Sequence, residues 1–571
     1  MAVASRLSAG LPEKCILVLE AGVDAKDEPK INIPGLKGST LGTTYDWNLT
    51  TVPQPHADNR TWTQPRGRVL GGSSALNLMA WDRASISEYD SWEKKLGLTG
   101  WNWNTFISSM LKVETFFPSS KYGDTGVGFT GPIKTLINRI IPAQQYNWIP
   151  TMAKLGIPSN LESLGGNPIG AMFQPSNIRN PDYRRSYSAY NPGYPSVSLD
   201  NLKIRTSARV AKINFATVDR KLASCGVTLV DGTIFNASTE VIVSAGAFLS
   251  PQLLEVSGIG DATILTAAGI PVLYDLPGVG ENLQDHIRIQ SSYQLLDNYT
   301  SLDVLRWNTT YGAEQMQLYN QNETSLYGNT GSSYSFMTWT QALGDDTDIQ
   351  ALAIKAAATN LTTSPFELTR KQILLDYLTD NTVPQLEVIF SDGYTGVKGY
   401  PAVGDPLRGI GTFSLIASIQ HPFSVGSVHA TSANISVNPS INPNYFAQEY
   451  DLQVTIATAK YLRKVANTYP LKQVWSAEYE PGTNTVPDGD DEAWKAYVLK
   501  NTQTIFHPAG TCAMIDETLH GVVDKNLLVY GTTNLRVVDA SVMPVLMGAH
   551  IQTAVYGIAE IAAEKIISKW S

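Results

Sequence analysis

The chain has 571 residues, with 42 Lys and Arg against 51 Asp and Glu and a formal net charge of −9. That acidic balance disfavours a nucleic-acid or anionic-membrane partner, which would select a basic face. At 43% hydrophobic and 16% charged it is a globular sequence, too long for one ordinary core, so two domains or an interleaved pair are expected.

No run approaches the ~18 apolar residues of a membrane helix. Three cysteines, Cys15, Cys225 and Cys512, are too few and too scattered for a disulfide framework or a zinc site, and no metal site is expected. Asn-X-Ser/Thr sequons begin at Asn48, Asn59, Asn236, Asn298, Asn308, Asn322, Asn360 and Asn434, which favours a secreted glycoprotein only mildly. The chain carries no signal peptide, and secretion depends on whether the full-length gene encodes one.

Residues 1–7 read as the later part of a helix, and residues 15–19 (CILVL) as a buried strand closed by Glu20, Ala21 and Gly22. A strand ended by a carboxylate is the second strand of a dinucleotide-binding βαβ unit, where the acid accepts hydrogen bonds from the adenosine ribose. A solvent-facing strand end is the plain alternative for Glu20. Residues 66–90 (RGRVLGGSSALNLMAWDRASISEYD) place two glycines and two hydroxyls before an apolar run. Gly71 and Gly72 let a ligand approach the main chain, and the N–H groups that follow, at an expected helix start, suit an anion such as a pyrophosphate.

Residues 87–95 and 105–117 read as helices, and residues 201–206 and 209–214 as a strand pair around a short polar turn. Residues 241–246 (VIVSAG) form a buried strand that turns at Gly246 into a helix with Pro251 in its first turn. A glycine-rich loop follows at residues 278–286 (GVGENLQDH). Beyond it, residues 333–340, 385–391, 411–419 and 426–431 alternate as antiparallel strands do. There are seven histidines: His56, His286, His421, His429, His507, His520 and His550.

The 66–90 segment is similar, position by position, to the first signature of the glucose–methanol–choline (GMC) oxidoreductase family: Gly67, Arg68, Leu70, Gly71, Gly72, Ser73, Ser74, Leu76, Asn77, Trp81, Ala84 and Asp90. Gly246, Ala247, Ser250, Pro251, Leu253, Leu254 and residues 257–260 (SGIG) match the second signature. His507, in IFHPAGTCAM, and His550, in PVLMGAHIQTAVYGIAE, match the family's paired active-site positions. The resemblance covers nearly the whole chain.

It implies an α/β fold in which a Rossmann-like FAD-binding domain is interleaved with an α+β, antiparallel-sheet substrate-binding domain. Residues 1–286 would form the FAD-binding part, with substrate-domain insertions at about 90–195. Residues 287–504 would be mainly substrate-binding, and residues 505–571 would complete the FAD domain and the active site. It places FAD against Glu20, Arg68, Gly71, Gly72, Ser73, Asn77, Leu78, Met79, Ala80, Val210 (whose main chain would meet the adenine), Gly246, Asp539, Ala540, His550, Ile551, Gln552 and Thr553. The final helix, from Gln552, would point its first N–H groups at flavin carbonyl oxygens. Some relatives link FAD covalently through a histidine where this chain has Leu76, so non-covalent FAD is expected.

The implied chemistry is oxidation of a primary, aromatic or secondary-metabolite alcohol, as in the fungal aryl-alcohol oxidase and glucose dehydrogenase branch. Hydride would pass to flavin N5, with O2 or a quinone as the electron acceptor. His507 is expected to be the base for the hydroxyl proton, and His550 to hydrogen-bond the substrate oxygen. His286 is expected to be a flavin-loop residue with no chemical role, and the other four histidines to be structural. A non-redox cyclase or lyase on the same fold, and a flavin-deficient inactive fragment, are the alternatives. The βαβ unit should open with a strand and a G-x-G-x-x-G turn about 20 residues earlier. A gene start set too late, a natural fragment and a surrendered cofactor site are its explanations, ranked in that order.

Overall fold

The computed structural model describes all of the chain except residues 190–193, 195–199, 332, 362 and 363. Its largest sheet is antiparallel, with seven strands among the described residues. In spatial order they are Trp475–Glu480, Ile287–Leu295, Thr412–Ile419, Leu386–Asp392, Ser333–Met337 and Gly170–Phe173, with Gln503–Thr504 pairing the far end of Ile287–Leu295. One face carries Ile289, Leu415, Val388 and Phe390, which pack with the helices Phe366–Thr379, Glu449–Asn467 and Asp491–Asn501 in the largest core cluster. Because side chains alternate along a strand, the other face shows a second set: Met172, Tyr334, Phe336, Glu387, Ile389 and Ile416.

The part expected to bind the nucleotide is built differently. Two of its parallel pairs, Ile16–Leu19 with Leu202–Arg205 and Val241–Val243 with Leu535–Val537, stand as separate sheets. Both pairs reach one apolar cluster in which Leu7 and Leu11 meet Ala563 and Ile566, joined by Ile16 and Ile242. The helices Ala2–Gly10 and Gln552–Trp570 therefore pack on each other across the gap between the pairs.

Several elements depart from the sequence reading. Residues 201–206 and 209–214 do not pair: Leu202–Arg205 joins the first strand, and Val210–Val218 forms a hairpin with Lys221–Leu229. The helix expected to reach residue 117 ends at Val113, and Glu114–Phe116 is a strand. Its cause is Glu114, fully buried and turned onto Arg83 (2.7 Å) and the Thr135 hydroxyl (2.8 Å). A helical continuation would strand that charge. The strand at residue 333 stops at Met337, because Thr338 and Gln341 form a capping box that starts the helix Trp339–Leu343. Ser427–His429 pairs with Ser440–Asn442, outside the large sheet. After the glycine pair there is one 3-10 turn, Gly72–Ala75, where a longer helix was expected.

Candidate active site

The C-terminal histidines are placed by two different devices. Antiparallel pairing of Ile287 with Thr504 and Arg288 with Gln503 is followed by reciprocal bonds between Gln284 and Ala509 (3.0 and 2.9 Å). Between these anchors, two residues face four, and His507 sits on the longer bulge. Phe506 before it is left-handed (φ 71°), with its carbonyl held by Arg66 Nη2 at 2.6 Å. The His507 N–H donates to Asp285 Oδ1 (3.0 Å), and Tyr445 donates to the other oxygen of that buried carboxylate (2.5 Å). His550, in contrast, sits just before the final helix. Its N–H donates to Asp82 Oδ1 (2.8 Å), and its Nδ1 bonds Asp82 Oδ2 (2.7 Å).

The two imidazoles lie edge to face, with centroids 4.8 Å apart. Their surroundings drive their protonation in opposite directions. Burial, then repulsion from His550, His286 and Arg66, holds His507 well below the usual histidine range, so it is neutral. Burial also works against charge on His550, but Glu387 (3.3 Å from Nδ1) and Asp82 outweigh it and raise its pKa to about 9. Glu387 is itself pushed up by burial, partly offset by His550. A neutral imidazole therefore stands beside an imidazolium in one pocket.

Tyr334 belongs to an apolar cluster with Ala80, Met172, Phe336, Ile389 and Ile416. The Tyr334 ring lies 5.9 Å from that of His550. His550 keeps 14% of its side chain accessible.

Of the other residues singled out in the sequence, one group converges on the start of the final helix. Asn77 donates to Gln552 (2.5 Å), Gln552 to the Ala80 carbonyl (3.0 Å), Thr553 to the Asp82 carbonyl, and the Met79 N–H to Asn77 (3.1 Å). Ile551 and Gln552 open that helix with no side-chain cap on its N–H groups. A second group surrounds the first strand. Ala208, two residues before Val210, donates to the Glu20 carbonyl (2.8 Å), and a Cβ on Gly22 would stand 2.1 Å from the Arg68 carbonyl. Glu20 is half-buried, and its carboxylate accepts from the Gly22 N–H (2.7 Å). A third group is tied by Asp539, whose carboxylate accepts from Gly246 N–H (2.8 Å), Ser250 and Ser541; Ala540 adjoins it.

These groups fit a dinucleotide flavin. Gly72 (φ 55°) and Gly246 (φ 86°) both open onto space with nothing within 4 Å of where a Cβ would stand. Leu78, close to Gly72 in sequence, leaves 43% of its surface uncovered, and Arg68 and Ser73 are exposed. Carboxylate, cation, uncovered apolar surface and unblocked main chain together make the donor set that a ribose, a diphosphate and a fused ring require. Leu76 is buried in a separate apolar cluster with Ile31, Val69 and Tyr187.

GMC oxidoreductase family profiles match residues 31–288 and 422–559. The chain is also 34% identical, over 590 residues, to the GMC oxidoreductase family protein Mala s 12 of Malassezia sympodialis, covering 99% of this chain and 90% of that one. The chain belongs to the GMC oxidoreductase family. An FAD-dependent oxidoreductase from Chaetomium thermophilum superposes with a TM-score of 0.89 at 27% identity, over 100% of this chain and 97% of the other. A new fungal aryl-alcohol oxidase superposes at 0.86 and 27%, with the same coverage. Membership brings a flavin cofactor and oxidation of alcohol-type donors at the level of the family. No described helix is long and apolar enough to cross a membrane.

Three site residues escaped the sequence reading. Asp82 lies inside the quoted motif and its charge stood out in the run MAWDR, but its partner is 468 residues away. Glu387 is an acid among the apolar residues Leu386, Val388, Ile389 and Phe390 of its strand, a local irregularity that says nothing of its partner His550. His286, expected to have no chemical role, is fully buried with Nδ1 2.9 Å from Nδ1 of His507. His421 and His429 do pair with structural carboxylates, Glu88 at 2.9 Å and Glu255 at 2.7 Å.

Proposed function

We propose that this GMC oxidoreductase oxidises a primary alcohol, aromatic or from secondary metabolism, with FAD held non-covalently and O2 or a quinone as electron acceptor. The observation that carries the reading is the pair of opposed protonation states, neutral His507 beside protonated His550. His507 takes the hydroxyl proton at a ring nitrogen, which needs the neutral form. His550, held by Asp82 and Glu387 through Nδ1, is left with Nε2–H to donate to the substrate oxygen as negative charge develops there. FAD, when bound, supplies the two-electron acceptor. Glu20, Arg68, the Gly72 turn, Gly246, Ala540 and the uncapped helix start at Gln552 are the residues that would hold it.

The substrate class is read from the apolar cluster beside His550, in which Tyr334, its ring 5.9 Å from that of His550, packs with Phe336, Ile389, Ile416 and Met172. The measurement is anaerobic mixing of the flavin-loaded enzyme with aryl alcohols. Bleaching of the visible flavin band with an aldehyde product two hydrogens lighter is the expected result. A product that has not lost two hydrogens, with an unbleached flavin, would establish the cyclase or lyase alternative instead. A route through the secretory pathway belongs to the same proposal, since seven of the eight sequon asparagines are exposed, Asn308 being the exception. A mobility shift of the natural protein on glycosidase treatment is expected, and its absence would refute that route.

A further inference from the structure

His286 and His507 meet through like atoms. Their Nδ1 nitrogens are 2.9 Å apart and their rings are near perpendicular, 79°, with centroids 5.1 Å apart. A hydrogen bond between two imidazoles requires one ring to carry the proton and the other the lone pair. The pair admits two arrangements, and they have opposite chemical consequences. If His286 donates, His507 keeps its proton on Nε2 and presents a donor to the pocket. If His507 donates, its proton is on Nδ1 and its Nε2 presents a lone pair.

The second arrangement is the one that a base at His507 requires, since with the two Nδ1 atoms bonded to each other only it leaves a lone pair on His507 Nε2. Both rings are buried and neutral, held low first by burial and then by neighbouring positive charge. His286 Nε2 has no hydrogen-bond partner among the described residues, so Nδ1, engaged by His507, is its one bonded ring nitrogen. A neutral His286 protonated on Nε2 has its lone pair on Nδ1. Its backbone is fixed as well: the His286 carbonyl accepts from the Ile505 N–H at 3.1 Å, two residues before His507.

We propose that His286 is a positioning residue for His507, accepting the proton on His507 Nδ1 and thereby leaving a lone pair on His507 Nε2 for the substrate hydroxyl. This rests on the reading of His507 as the base. In the proton step the substrate O–H bond breaks, an N–H bond forms at His507 Nε2, and the positive charge stays on His507. The Nδ1–H of that imidazolium becomes a stronger donor to His286, so the bond between the rings tightens as the alkoxide forms. A buried imidazole here does the orienting work that a carboxylate does beside many catalytic histidines, without adding a negative charge to the pocket.

The test combines 15N-histidine NMR of the whole protein with steady-state kinetics of His286→Leu and His286→Asn. The His507 signals are assigned by their loss in His507→Gln. Expected in the wild type is His507 protonated on Nδ1 and bare on Nε2. His286→Leu removes the acceptor, so the His507 proton should move to Nε2 and kcat should fall at least about tenfold, with KM within about threefold. Asparagine keeps an acceptor oxygen and should restore most of kcat and the Nδ1–H signal. A wild-type His507 protonated on Nε2, or a His286→Leu enzyme with unchanged kcat, would overturn the proposal. Should the leucine variant not fold, the wild-type spectrum and the asparagine variant still decide. If His507→Gln itself remains active, the base reading fails, and the spectrum of the wild type still reports the tautomer.

Discussion

The two halves of this molecule meet at His550, and they present their chemistry in different ways. On the nucleotide side the groups that matter are largely main chain: Gly72 and Gly246 with their open positive-φ turns, the uncapped N–H groups of the helix start at Gln552, and strands in small sheets of two or three. On the sheet side they are side chains on one face of a continuous antiparallel sheet and the bulge beside it: Glu387, Tyr334, His286 and His507. Main-chain chemistry needs particular residues at particular spacings, and so it leaves a local motif. Side-chain chemistry needs partners brought from far away, and leaves almost none. The lesson is that the nucleotide side can be broken by one backbone change, whereas the sheet side must be broken through protonation.

The largest expected effect is on the sheet side. His507→Ala removes the neutral base, and flavin reduction by substrate should fall by about 10²–10⁴-fold while flavin content is unchanged. Single-turnover reduction at equal flavin occupancy measures this; near-normal reduction would mean that the proton leaves by another route. Next comes Asp82→Asn, which withdraws one of the two carboxylates holding His550 charged. Because the pKa of His550 is raised, the stability of its charged form is fully present below the unfolded value near 6.5 and is lost as pH rises through about 9. Activity should therefore show an alkaline limb near that pH, and Asp82→Asn should move it down by about one to two pH units. A limb that stays in place would leave Glu387 as the sole determinant of the His550 charge.

How much of this was legible in the sequence divides along the same line. The glycine turn at Gly71–Gly72, the strand closed by Glu20, the strand and turn at Gly246 and the antiparallel character beyond residue 287 follow from local pattern, since each is a short-range requirement of backbone geometry, whereas His507 and His550 stood out only through the resemblance to the family. The end of the helix at Val113 was not legible, because a buried ion pair with Arg83 overrides the local helical pattern. Nor were the pairings of Leu202–Arg205 and Val210–Val218, which are decided by strands elsewhere in the chain. Asp82, Glu387 and His286 share that difficulty: their roles exist only once residues hundreds of positions apart are folded together.

Gly72→Val should act on the nucleotide side alone. Its φ of 55° is strained for a β-branched residue, and the new side chain points into the space left open toward the loop. Flavin content of the purified protein should drop several-fold, with the pH behaviour of His550 in the remaining holoenzyme unchanged. Full occupancy in this variant would mean that the turn is structural and that the flavin is held elsewhere.

The smallest effect joins the two halves. Ser85 caps the helix Ile86–Leu96 in a capping box with Glu88, and the second carboxylate oxygen of Glu88 accepts from the Gly548 N–H and from His421 Nε2 (2.9 Å). One side chain thus serves both a helix start and the loop that delivers His550 two residues later. Ser85→Ala removes the cap and the hydroxyl's bond to the other Glu88 oxygen (2.8 Å), at a cost of about 1 kcal/mol in stability, read as a small fall in melting temperature. It leaves the Glu88 bonds to Gly548 and His421 in place, so kcat should not move. A loss of kcat with this substitution would show that Glu88 positions His550 only while its other oxygen is held by Ser85, making the helix cap part of what orients the acid partner of the pair.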